Sequence, residues 1–471
     1  MLFNSFPYVL IFLPVAAILH AVLSARAGWR VAQAWLLLAS LFFYGYSHPA
    51  NLPLLAGSIV FNWWAARAIA GAPETGGRVW ILRGALAANI LFLCCFKYAN
   101  FLFGMLPSPV RPALPEWSLP LGISFFTLTQ VMFLVDTYQG LNAPNSLFDH
   151  ATLVSLFPYV TSGPLVRSRA IVPQFRKWSL PEGRAEAACR GLYLFALGLV
   201  KKTVFADSFA AIADAGYRSP GSLSTVEAWV ATLAYAFQIY FDFSGYSDMA
   251  VGSARLLGID IPQNFNAPYC SKSISEFWQR WHISLSNFIT SYLYTPLLRS
   301  MGSATLRTSA AAILLAMGIA GLWHGPAWTF IIFGLLHGAG LAINQVWKKK
   351  KVARVPNWLG WAMTLAFVNL TFVFFRSPNV PAALDMAARL VPLGHITGFD
   401  ALGSSLPLTP MLIFRPVVIG VILALWFRSS AELERAFQPR VVNALAGAAL
   451  VLTAFFYMNS AAAKQFVYFA F

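Results

Sequence analysis

Charge is scarce in this chain. Only 11% of its 471 residues are Asp, Glu, Lys or Arg, against roughly a quarter in a soluble protein of ordinary composition. Too few ionised groups are present to cover a soluble surface, so a water-soluble globular fold is excluded. Acidic residues are the scarcer sign, 17 against 33 basic ones, which leaves a formal charge of +16. Cysteine is nearly absent. Cys94, Cys95, Cys189 and Cys270 lie within or beside apolar stretches, without metal-ligand spacing and without a disulfide framework. Also missing are a nucleophile elbow, a phosphate-binding glycine loop and a zinc-protease motif. The first apolar run has no preceding basic region or small-residue cleavage site, so it reads as a retained span.

What the chain has is apolar length. Hydrophobic residues make up 58% of it, with a mean hydropathy of +0.64. Apolar runs near the ~20 residues that cross a bilayer recur from end to end. The candidate spans are 8–23, 31–46, 52–70, 84–104, 119–138, 188–206, 225–244, 305–322, 327–346, 357–375, 410–427 and 441–458. The fold expected is all-α, a single polytopic membrane domain over 1–471 with about 11–12 crossings. Basic residues fall in alternate loops, among them Arg26 and Arg30, Arg167 to Arg190, and Lys348 to Lys351. The positive-inside bias makes that side cytoplasmic and leaves both termini outside. The positive charge therefore marks topology rather than a nucleic-acid-binding face. Lys201, Lys202 and Arg111 run against the pattern. Two stretches do not read as crossings: 150–164 is broken by Pro158 and Gly163-Pro164, and 274–296 is too polar to face lipid. Irregular backbone at membrane depth persists only inside protein or beside a wet cavity, so these breaks hint at an internal chamber.

Three histidines carry the chemical interest. His324 lies in GLWHGPAW (Gly321–Trp328), where Gly325 and Pro326 interrupt or restart a helix between two apolar runs. Ionisable groups at such places are costly and mark function by default, and an imidazole suits proton uptake from a hydroxyl near neutral pH. The bland alternative is a histidine bonded to a carbonyl freed by the break. His282 lies in FWQRWHISLS (Phe277–Ser286), on an expected amphipathic helix opened by a Ser273/Glu276 capping pair. On that helix Trp278, His282, Leu285 and Ile289 share a face, and its bland alternative is a Trp-rich interfacial anchor. His337, in FGLLHGAG (Phe333–Gly340), reads as a helix-packing residue. Asp242 and Asp248, in YFDFSGYSDMAVGSARLLGI (Tyr240–Ile259), could hold a cation, but pairing with Arg255 is the simpler expectation and no metal is assigned.

Spacing alone leaves transporter and enzyme both open. The segments FNSFPYVLIFLP (Phe3–Pro14), LPLGISFFTLTQVMFLVDTY (Leu119–Tyr138), SGPLVRSRAIVPQF (Ser162–Phe175) and LFALGLVKKTVFAD (Leu194–Asp207) resemble the bacterial branch of the membrane-bound O-acyltransferase family. So do the Tyr240–Ile259 stretch, NFNAPYCSKSISEFWQRWHISLSNF (Asn264–Phe288) and GLWHGPAWTFIIFGLLHG (Gly321–Gly338). The similarity runs over 3–375 and is greatest to the alginate-acetylating branch. It implies helices around a central chamber, with the family's two histidines at His324 and His282. It further implies acetyl-CoA as the donor substrate with no permanently bound cofactor, an extracytoplasmic acyltransferase partner, and an exported polysaccharide as final acceptor. The expected location is a bacterial inner membrane. D-alanyl or peptidoglycan O-acyl transfer, or a non-enzymatic transporter, are the alternatives.

Overall fold

A computed structural model of the chain describes residues 1–73, 76–106, 119–143, 145–177, 183–391, 411–460, 466 and 467. Arg111 lies outside the described residues. Among them the regular structure is helical, with no strand. The longer helices are α1 (Pro7–Arg26), α2 (Trp29–Gly45), α3 (Pro49–Gly71), α4 (Gly77–Lys97), α5 (Ile123–Tyr138), α6 (Leu147–Ser155), α7 (Arg184–Val200), α8 (Asp207–Arg218) and α9 (Thr225–Leu256). They continue as α10 (Ile274–Arg280), α11 (Ile283–Phe288), α12 (Leu306–His324), α13 (Trp328–Lys350), α14 (Asn357–Arg376), α15 (Val380–Arg389), α16 (Met411–Trp426) and α17 (Val441–Ser460).

Each of the twelve expected spans falls on a helix, but seven described helices are long and apolar enough to cross, or eight if α16 and the bent segment after it count as one span. The difference has physical causes. α2 and α5 have 17 and 16 residues, short of a full bilayer core. α5 is buried at most of its positions, so it is a span wrapped by protein. α9 carries Glu227, Asp242, Asp248 and Arg255 along its 32 residues. A helix with that many charges is held by partners rather than lipid.

Packing divides the chain into two units, each drawn from three stretches: 1–195, 247–263 and 438–447 form one, and 196–246, 264–437 and 448–471 the other. In the first unit, Asn62 on α3 and Asn89 on α4 exchange side-chain amide bonds at 3.1 and 2.7 Å. Reciprocal amides of this kind let polar groups sit between helices without loss. The 150–164 stretch is not a crossing. α6, capped by Ser146 accepting from the Asp149 amide, ends at Ser155, and the chain continues irregular and buried through Val166. Phe157 N donates to Ser40 Oγ at 3.1 Å and Tyr159 Oη to the Leu153 carbonyl at 2.6 Å, so freed backbone is satisfied from inside the protein, as membrane depth requires.

The second unit holds all three singled-out histidines. Its central feature is the hairpin of α12 and α13, whose arms meet through glycines. A Cβ added to Gly321 would lie 2.9 Å from the Gly334 Cα, and one on Gly338 would lie 3.1 Å from the Leu314 Cα. Small residues allow backbones to approach this closely where no hydrophobic effect drives helices together. The helix-packing reading of the His337 neighbourhood rests on the same contact.

Candidate functional site

α12 begins at a capping box, with Thr305 and Thr308 exchanging side-chain and backbone bonds, and ends at His324. The next residue, Gly325, is extended, and the ring of Phe330 occupies the space a side chain there would need. The helix therefore stops where the Gly-Pro sequence says it should, and it restarts at Trp328. This leaves His324 as the last residue of a span, 6% exposed. Aromatic rings set its position: Trp323 at 4.9 Å, Phe375 at 5.2 Å and Phe333 at 5.9 Å between centroids.

His282 corrects the sequence reading. The expected continuous amphipathic helix does not form. α10 ends at Arg280, and His282 takes a left-handed conformation (φ 41°, ψ 54°) before α11 begins. That conformation costs a non-glycine residue about 1 kcal/mol or more, so something must impose it. Asn264 does. Its carbonyl accepts the Ile283 amide at 3.0 Å, and its Oδ1 accepts the Ser284 amide at 3.1 Å and the Ser284 hydroxyl at 2.6 Å. A distant asparagine thus caps α11 and holds the break open. Of the face proposed for one helix, Trp278 is on α10 while Leu285 is on α11. The start of α10 agrees with expectation, since Ser273 accepts from the Glu276 amide. The Glu276 carboxylate, however, accepts from Lys272 N and pairs with Arg280 rather than closing the box. His282 is fully buried, and burial pushes its pKa down to about 3, so its ring is neutral near pH 7. It meets the edge of Phe243 at 4.6 Å and Trp323 at 6.5 Å. Trp323 is therefore a ring neighbour of both histidines.

His337 is committed. Trp278 Nε1 donates to its Nδ1 at 3.2 Å. An indole only donates, so Nδ1 is the bare nitrogen and Nε2 carries the proton. That Nε2–H faces Thr371 Oγ1 at 2.9 Å, and the Thr371 hydroxyl donates onward to the Val368 carbonyl. Its role is to tie α10, α13 and α14 together, as the packing interpretation expects.

Asp242 also changes partner. Arg255 pairs with Asp260 at 3.6 Å, not with Asp242. Asp242 instead takes Lys202 at 2.7 Å, and Lys202 reaches Asp207 at 2.9 Å. Lys202 thus breaks the charge pattern because it is a buried ion-pair partner, not a loop charge; Lys201 lies over the Tyr240 ring at 5.8 Å. No group of three or more metal-ligating side chains occurs among the described residues. Two features escaped the sequence reading. One is Asn264, which carries no breaker signature. The other is the C-terminal pair Phe466–Val467: Val467 N donates to Asp242 Oδ2 at 2.7 Å, and Phe466 stacks on Tyr246 at 4.5 Å. Phe466 also packs on Phe243, the ring that borders His282.

A cleft of about 420 Å³ opens beside this site, its inner wall made by Ile283, Ala316 and Met317 and its rim by Gln279, Asn287 and Thr290. Buried imidazoles near such a cleft are compatible with acyl transfer, and the chain is similar to known acyltransferases. The profile of the MBOAT, membrane-bound O-acyltransferase, family matches residues 81–376. A peptidoglycan O-acetyltransferase of Helicobacter pylori is 34% identical over 100% of this chain and 98% of its own. A probable alginate O-acetylase of Pseudomonas aeruginosa is 37% identical over 84% of this chain and 75% of its own. A teichoic acid D-alanyltransferase of Bacillus subtilis is 29% identical over 73% of this chain. With its apolar helices and its match across more than half the chain, this multi-pass membrane acyltransferase belongs to the membrane-bound O-acyltransferase family.

Proposed function

We propose that the protein takes an acetyl group from acetyl-CoA at the cytoplasmic face of a bacterial inner membrane and delivers it outward for O-acetylation of an exported glycan. The observation that carries this reading is the pair of buried histidines that share Trp323 as a ring neighbour, with His324 closing a span. His324 acts as general base. It takes the proton from an attacking hydroxyl as the oxygen bonds to the acetyl carbon; the carbon–sulfur bond breaks and the proton passes to the departing thiolate. The products are an ester and free CoA thiol. Neutral His282 directly precedes Ile283 of the cleft wall and acts on the donor side. The cleft beside it, polar at the rim and apolar within, suits a pantetheine arm. An extracytoplasmic acyltransferase then places the acetyl group on the glycan.

For the acceptor, alginate and peptidoglycan are both exported glycans with free hydroxyls. The relative acting on peptidoglycan aligns across the whole chain, whereas a quarter of the alginate relative's own length stays unmatched. That favours a peptidoglycan acceptor over alginate. The test is release of ester-linked acetate by mild alkali from cell wall and from secreted polysaccharide, in cells carrying wild-type or His324→Gln protein. Loss of acetate from one fraction in the variant names the acceptor. Unchanged acetate in both fractions overturns the reading.

A further inference from the structure

A second cleft lies on the opposite flank of the α10–α13 contact, and the function proposed above does not use it. Ser275 on α10 donates to Asn344 Oδ1 on α13 at 2.6 Å; Ser275 lines the cleft beside the histidines, and Asn344 lines this one. Its volume is also about 420 Å³, and its walls come from α10, α13, α14 and the link between the last two. Two glycines make it possible. A Cβ on Gly360 would lie 2.6 Å from the Lys272 carbonyl oxygen, and one on Gly340 would lie 2.9 Å from the Phe367 ring. At these two points the helices approach closely.

Charge and greasiness are separated within it. Lys272 and Lys348 stand in its lining, and Ile274, Ile343, Met363 and Phe367 supply the apolar part. Lys348 opens the run Lys348–Lys351, which ends α13, and Arg354 follows in the link. The cleft opens on an exposed apolar surface: Ile343 is 64% exposed, Met363 57% and the neighbouring Trp358 68%. Tryptophans at this level, Trp347 and Trp358, are the usual markers of the bilayer interface. A water-soluble phosphate compound has no reason to enter through apolar side chains facing hydrocarbon. A lipid does, because its acyl chain can lie along Ile343 and Met363 while its head group meets the ammonium groups.

We propose that this cleft is a binding site for one anionic phospholipid, its phosphate held between Lys272 and Lys348 and a chain laid against Ile343, Met363 and Phe367. Basic pockets between spans at a membrane face recognise head groups in this way. The inference does not rest on the acyl-transfer reading. It gives the lipid a structural consequence, since Phe367 packs on His337 at 5.6 Å and His337 ties α10 to α14.

The test uses the full chain, purified and stripped of lipid, titrated with phosphatidylglycerol, phosphatidylcholine or acetyl-CoA, with bound molecules counted by native mass spectrometry. One phosphatidylglycerol should bind in preference to phosphatidylcholine. Each lysine at an anionic surface contributes about fivefold in affinity, so K272A/K348A should weaken binding about 25-fold. K272R/K348R should keep it, and K349A/K350A, off the cleft lining, should change it by less than about twofold. Met363→Trp fills the apolar part and spares both lysines, so it should also weaken binding; it keeps the test open if the alanine pair fails to fold. Equal binding of the two lipids, undiminished binding in K272A/K348A and Met363→Trp, or displacement of phosphatidylglycerol by acetyl-CoA would each overturn the proposal, the last by making this a donor site.

Discussion

His324 and His337 stand on the two arms of one hairpin and meet the same ring, Phe333, at 5.9 and 4.6 Å, yet their surroundings differ in kind. His337 sits inside α13 with one ring nitrogen accepting from Trp278 and the other facing Thr371. His324 ends α12, where the backbone turns extended and aromatic faces form the walls. The lesson is that burial does not identify a reactive histidine. A side chain whose two polar atoms are both engaged by its own protein is a strut. His324 instead closes a helix, with the rings of Trp323, Phe333 and Phe375 around it.

The comparison can be broken at several points. The largest effect should come from His324→Gln, which keeps hydrogen bonding but cannot take up a proton; acetyl transfer should fall about 10²–10⁴-fold while the unfolding temperature stays within a degree or two. Near-normal transfer would make His324 a strut as well. Gly321→Ala drives a methyl group against the Gly334 backbone. Parting the hairpin arms should cost about 1–3 kcal/mol, read as a lower unfolding temperature together with reduced transfer. His337→Ala leaves the Trp278 indole unsatisfied and should cost about 1–3 kcal/mol of stability, with transfer per folded molecule reduced only a few-fold. If activity collapses at constant stability, the division between the two histidines is wrong. Thr371→Val removes one partner of His337 and should shift stability by about 1 kcal/mol. The smallest effect expected is none: because Asp242 is engaged by Lys202 and Val467, exhaustive chelation should leave transfer intact. Loss restored by one particular metal would reopen the two-acid site.

Much of this was legible before any coordinates. Helix period and apolar length placed a helix at every expected span, and Gly325-Pro326 placed the end of α12, because those signals are local. The break at His282 was not legible, since residues 277–289 carry helical periodicity with neither glycine nor proline. Asn264 imposes it from a separate segment, and tertiary contacts of that kind override propensity. Lys202 looked like an error of topology for the same reason: Asp207 is near in sequence, but Asp242 is forty residues on. The docking of Phe466 and Val467 has no local signature at all.

The Lys202–Asp242 pair also bears on how the chain enters the membrane during synthesis. A lysine at the centre of a span costs about 2.5–3.5 kcal/mol on insertion, and Lys202, toward the end of its apolar stretch, costs less. When the stretch 188–206 leaves the ribosome, Asp207 follows at once, but Asp242 does not yet exist. The stretch thus has only one of the two carboxylates that offset Lys202 until α9 is made. α7 and α9 then meet where Gly245 lies against the Gly198 carbonyl, with no side chain to keep them apart. The 188–206 stretch therefore depends on a helix made later for the carboxylate that offsets its lysine, so hydropathy alone does not describe its fitness for the membrane.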